Sequence, residues 1–134
     1  MRPPEEIKRL FIKQWLEKAD GDLKVAKSLF SAKAKFNDII CFHAQQAVEK
    51  YLKAYLTAKQ TEFTKTHKIE DLLDLVTVTN PGLATQLNST SSLSVYAVEF
   101  RYPGDYPKPN RKEARRAIEL AEETRKIIAL EVGK

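Results

Sequence analysis

Residues 41–56 read CFHAQQAVEKYLKAYL, a run dense in side chains able to do chemistry. His43, Gln46, Lys50, Lys53 and Thr57 follow one another at steps of three, four, three and four. On a helix such steps keep them along one ridge, within an arc of about 80°. The ridge reads as a cationic groove: an amide for a base edge, a histidine for proton transfer or hydrogen bonding, and two lysines. The same spacing also describes a solvated helix face, and spacing alone favours that plainer reading. Gln45 and Glu49 fall on a separate edge, shared with Leu52 and Leu56. A carboxylate there calls for a cation, such as Arg101 or a residue of a partner chain.

The second candidate is the loop FRYPGDYPKPN, residues 100–110. Pro103-Gly104 suits the centre of a type II turn. Arg101, Asp105 and Lys108 cluster there with Tyr102 and Tyr106. Arginine forks onto phosphate or carboxylate, and tyrosine stacks on a base. The alternative is a rigid crossover between helices, with Arg101 tied to a buried acid. Elsewhere the chemistry thins out. His67, with Thr64 and Thr66, stands where a third helix should begin and reads as a capping or surface residue. His43 and His67 lie far apart with no matching Cys or Asp spacing, so no metal site is expected. Cys41 projects to the apolar side and reads as packing. The chain contains no GxxxxGK, GxGxxG or GxSxG motif, and no cofactor is expected.

These residues need elements to hold them, and the sequence offers helices. Trp15, Ala19, Leu23, Ala26 and Phe30 recur at spacings of three and four. They predict one long first helix that continues through Asp20-Gly21. Pro3, Pro4, Glu5 and Glu6 suit its start. A second helix is predicted from about Asn37 to Lys59, with Ile40, Ala44, Ala47, Val48, Tyr51 and Tyr55 on its apolar face. KIEDLLDLV predicts a short third helix that stops near Asn80-Pro81-Gly82. Leu83, Leu87, Thr90, Ser94 and Ala97 fit a helical stripe. LSVYAVEF also has strand propensity, but a lone strand would have no partner, so a helix is predicted there too. Three prolines within seven residues keep RYPGDYPKP out of a helix. Asn110 and Glu113 resemble a capping box for a final helix reaching about Val132, packed through Ala114, Ile118, Ala121 and Ile128. The predicted fold is therefore all-α: one domain over residues 1–134, an up-and-down four-helix bundle with an extra short helix.

Composition is compatible with this fold. Apolar residues make up 43% and charged residues 31%, which suits a folded core and not a disordered chain. The net charge of +5 permits contact with phosphates or an acidic partner without demanding either. A single cysteine gives no internal disulfide. Neither a secretory leader nor a membrane span is visible, so a cytoplasmic location is expected.

The pattern FHAQQAVEKYLKAYL, followed by THKIEDLL and FRYPGDYP, resembles the HEPN domain (higher eukaryotes and prokaryotes nucleotide-binding). WLEKADGDLKVAKSLF fits as the family's first helix, so the resemblance covers nearly the whole chain. It implies a four- or five-helix bundle, often a homodimer, encoded beside a minimal nucleotidyltransferase in toxin–antitoxin-like pairs. It also implies nucleotide binding for some members and metal-independent RNA cleavage for others. The cleaving members carry an arginine followed four to six residues later by histidine, and no such pair occurs here. Arg101 matches the family's RYP arginine, but no histidine follows it. The main expectation is thus a binding module. Its ligand or interface residues would be His43, Gln46, Glu49, Lys50, Lys53, Arg101, Tyr102 and Asp105, with a nucleotide or RNA as ligand. One alternative is a ribonuclease with a non-standard His43/Arg101 site. The other is a purely structural interaction subunit.

Overall fold

The computed structural model describes residues 4–97 and 108–134. Helix α1 spans Pro4–Ser31, α2 Asn37–Ala58, α3 Ile69–Thr79, α4 Pro81–Gln86 and α5 Arg111–Val132. Between α4 and α5 runs a tighter 3-10 helix over Asn88–Tyr96, the serine segment below. No strand occurs among the described residues, as the periodicity predicts.

Each end of these helices has a local cause. Pro4 opens α1, where its missing N–H costs nothing, and Glu5 and Glu6 face the positive helix end. Gly21 does not break α1, and an added Cβ there would meet nothing within 4 Å. At its far end, Lys33 N–H donates to Phe30 O and Ala34 N–H to Leu29 O. This paired closure puts Lys33 at φ 56°, a left-handed position usually given to glycine. α2 ends the same way on Gln60, at φ 55°. Asn80 stops α3, and its side chain then accepts from Leu83 N to cap α4, with Pro81 in the first turn. The capping box of α5 forms as expected: Asn110 Oδ1 accepts from Glu113 N at 2.8 Å, and Asn110 N donates to Glu113 Oε1 at 3.1 Å.

One prediction fails in detail. Leu83 to Ala97 do not form a single helix; they divide into α4 and the serine segment. Hydroxyls explain the tighter winding. Thr90, Ser91 and Ser92 each donate to the carbonyl three residues earlier, at Leu87, Asn88 and Ser89. Such side chains compete with the regular helix ladder.

Helix α2 is the central element. It packs against α1, α5, α3 and the serine segment. Tyr51, Tyr55, Ile40, Leu52 and Leu56 are buried along it. Small residues face it from both neighbours: Ala19 and Ala26 on α1, and Ala114, Ala117 and Ala121 on α5. Alanines let the backbones approach closely, so the large side chains come mainly from α2. The predicted stripes hold at Ala19, Leu23 and Ala26, and at Ala114, Ala121 and Ile128. Trp15, Phe30 and Ile118 sit at the margin, half-buried. No described helix is long and apolar enough to cross a membrane.

Candidate functional site

Because α2 is enclosed on several sides, its polar residues cannot all face water. Glu49 is only 2% exposed. A buried carboxylate must be paired and hydrogen-bonded. Among the described residues, four side chains gather on it. Lys53 Nζ, one turn on, donates to Oε1 at 2.8 Å. Gln45 Nε2, one turn back, donates to Oε2 at 3.1 Å, and Gln46 Nε2 reaches the same oxygen at 3.3 Å. His67 Nδ1 lies 3.3 Å from Oε1.

The network extends beyond the carboxylate. Gln46 also donates to Gln45 Oε1 at 2.7 Å, and Gln45 donates to the His67 carbonyl at 3.1 Å. The ammonium of Lys53 sits over the Trp15 and Phe63 rings, 5.4 and 5.8 Å from their centroids. Trp15 and Phe63 meet edge to face at 6.1 Å. The segment before α3 is thereby tied to α1 and α2 through one polar centre.

A second carboxylate collects the rest of the ridge. Asp22 of α1 lies 2.9 Å from His43 Nδ1 through Oδ1, and Lys50 Nζ donates to its Oδ2 at 2.5 Å. These side chains are 13%, 27% and 23% exposed, so this cluster reaches the surface where the Glu49 centre does not. Farther around, Tyr51 donates to Asp20 at 2.5 Å, and Arg125 of α5 lies 3.5 Å from the same oxygen. Burial, then the Asp20 carboxylate, pushes the Tyr51 phenol far above its ordinary value. Burial also pushes the Cys41 thiol up to about 11, beside its hydrogen-bond partner Tyr96. Cys41 is wholly buried, as its predicted packing role requires.

The structure reorganises the predicted ridge. His43, Gln46, Lys50 and Lys53 do not form one open cationic groove. His43 and Lys50 turn to Asp22, while Gln46 and Lys53 turn to Glu49. Long side chains follow the nearest carboxylate, not the helical wheel. Thr57 turns back onto the Lys53 carbonyl. Among the described residues, the cation on Glu49 is Lys53 of α2 itself, and the His67 ring lies against the same carboxylate. At the start of α3, Thr66 accepts from Lys68 N and donates to Asp71, while the His67 ring lies against Glu49. Arg101, Tyr102 and Asp105 lie outside the described residues.

Sequence reasoning missed Asp22. It stands on the α1 stripe, between Ala19 and Ala26, at steps of three and four. A carboxylate in register with a buried stripe is a signal for a partnered acid. Among the described residues, no three His, Cys, Asp or Glu side chains group to hold a metal ion.

The family model of the HEPN domain matches residues 12–132. The fold is similar to the crystal structure of TT1696 from Thermus thermophilus. That match has a TM-score of 0.72 and 26% identity, covering 90% of this chain and 97% of the other. It is also similar to ST0689, described as an archaeal HEPN homologue, with a TM-score of 0.63, 23% identity and the same coverage. No curated protein matches the sequence.

Proposed function

This chain belongs to the HEPN domain family, and on that premise we propose that it is a HEPN-type binding module. In this reading it acts as a homodimer beside a minimal nucleotidyltransferase in a toxin–antitoxin-like pair, with a nucleotide as its ligand. Glu49 carries the proposal. A carboxylate 2% exposed, with Gln45, Gln46, Lys53 and His67 gathered on it, adds little net stability for its desolvation cost. What it supplies is order: Gln45, Gln46 and Lys53 are held in fixed places on the helix that carries the family motif, with His67 drawn onto it from the segment before α3. A surface set in advance loses less entropy on binding. His43 and Lys50, turned to Asp22 instead, reach solvent, where an ammonium with three donors can serve both Asp22 and a phosphate.

Two measurements test this reading. Tagged protein recovered from its native host should bring down a stoichiometric nucleotidyltransferase-type partner. Calorimetry with ATP should give heat that Lys50→Ala removes. No partner and no heat at millimolar nucleotide would sink it. A partner without nucleotide heat favours the purely structural interaction subunit.

The Asp22–His43 contact favours a second reading, a metal-independent ribonuclease. A carboxylate on one ring nitrogen orients the imidazole and leaves the other nitrogen for proton transfer. Lys50 on the same carboxylate places a cation beside the ring, suited to charge growing on a phosphate. RNA cleavage in EDTA that disappears in His43→Ala and weakens in Asp22→Asn supports this reading. Intact RNA across structured and single-stranded substrates rejects it.

A further inference from the structure

Far from the Glu49 centre, the turn after α1 and the first turn of α5 form an open cleft of about 450 Å³. It is lined by Lys33, Ala34, Lys35, Asn37 and Arg111. Three of the five lining residues are cations, and none is an acid. Among the described residues, none of the three cations has a carboxylate within ion-pair reach. Arg111 is nonetheless fixed in place. Its guanidinium lies 3.8 Å from the centroid of Phe30, and Nη2 donates to the Phe30 carbonyl at 2.8 Å. An arginine has five N–H donors, so this anchoring leaves donors for an oxyanion.

The surroundings strengthen the cationic character. Helices α1 and α3 carry acids in the first turn, as the helix dipole favours. α5 opens on Arg111 and Lys112 and continues through Arg115 and Arg116. Its one early acid, Glu113, is occupied by the capping box. The nearest other acid in sequence is Asp38 in the first turn of α2. Phe36 follows Lys35 directly and is 52% exposed. Cations without carboxylate partners, with an exposed aromatic residue between the lining residues Lys35 and Asn37 in the chain, match the two needs of an unpaired nucleotide strand: charge for its backbone and a flat face for its bases.

We propose that this cleft docks single-stranded nucleic acid, with phosphates on Lys33, Lys35 and Arg111 and a base stacked on Phe36. The site shares no residue with the α2 face described above, so either can fail alone.

Fluorescence anisotropy of a labelled oligouridylate, in about 50 mM salt, reads the binding. Lys33→Glu/Lys35→Glu should weaken it at least tenfold. The double variant should also flatten the slope of log K against log salt by about 1.4, the loss of two single-strand phosphate contacts. Phe36→Ala should weaken binding about tenfold while leaving that slope unchanged. Lys13→Glu, roughly 30 Å away along α1, should match wild type. Thermal melts show whether each variant is folded.

Wild-type protein that leaves the anisotropy unchanged overturns the proposal, as does a double variant that binds like wild type. Binding that Lys50→Ala abolishes while the double variant retains it places the ligand on α2 and overturns it as well. If Phe36→Ala binds like wild type, or an acidic peptide competes as well as the oligonucleotide, the cleft is a general anion surface and the single-strand assignment is wrong.

Discussion

Lys53 and Lys33 show two ways this chain treats positive charge. Lys53 is 8% exposed, one turn from the carboxylate that neutralises it and over two aromatic rings. Lys33 is exposed at the end of α1, in a backbone conformation that favours glycine, beside other cations. Lys53 and its partner depend on each other: removing either leaves the other's charge buried. Lys33 has no such dependence within the fold. Among the described residues its ammonium has no carboxylate within ion-pair reach.

The strongest way to break this contrast is at Glu49. Glu49→Ala should cost about 3–5 kcal/mol, because it leaves Lys53 buried without its anion. Urea denaturation should show a lower midpoint with an unchanged slope. A cost below about 1 kcal/mol would mean that Lys53 escapes to water.

Alkaline titration of the α2 core comes next. The folded thiol of Cys41 sits at about 11, above the roughly 8.5 of an unfolded chain. Its contribution is therefore fully present below about pH 8.5 and is lost as pH rises toward 11. The size is about 3 kcal/mol, seen as a Cys41→Ala variant whose melting temperature falls less over that window. Parallel curves for the two proteins would contradict it.

Asp22→Asn should cost less, about 1–2 kcal/mol, because His43 and Lys50 are partly solvated and can turn to water. Chemical denaturation of the single variant and of Asp22→Asn/Lys50→Met should show that the second change restores part of the loss. The smallest effect belongs to the cleft. Lys33→Gly should stabilise the fold by about 0.5–1 kcal/mol, by relieving the left-handed strain. In the same melts, a Lys33→Gly variant less stable than wild type would show that the lysine contributes contacts to the fold.

The sequence carried the scaffold further than the site. Ala19, Leu23 and Ala26, or Ala114, Ala121 and Ile128, announce a buried face through a period that depends only on neighbours along the chain. The Asn110–Glu113 cap is equally local and forms as read. The serine segment was less legible: Leu83, Leu87 and Thr90 keep helical spacing, but hydroxyl bonds to nearby carbonyls tighten the winding. A wheel also placed Gln45 and Glu49 on one edge and His43, Gln46, Lys50 and Lys53 on another. It gives directions at the helix surface, not the ends of long side chains.

The chain's own order therefore determined the helices, their apolar stripes, the final cap and the family motif, because each rests on contacts within a few residues. Tertiary structure decided where the charges went. Asp22 meets His43 and Lys50 because α1 packs on α2, and His67 reaches Glu49 because the segment before α3 folds onto it. Arg111 meets Phe30 only where the start of α5 reaches the end of α1. Electrostatic partners are selected by distance and burial in space, and no periodicity along the chain encodes either.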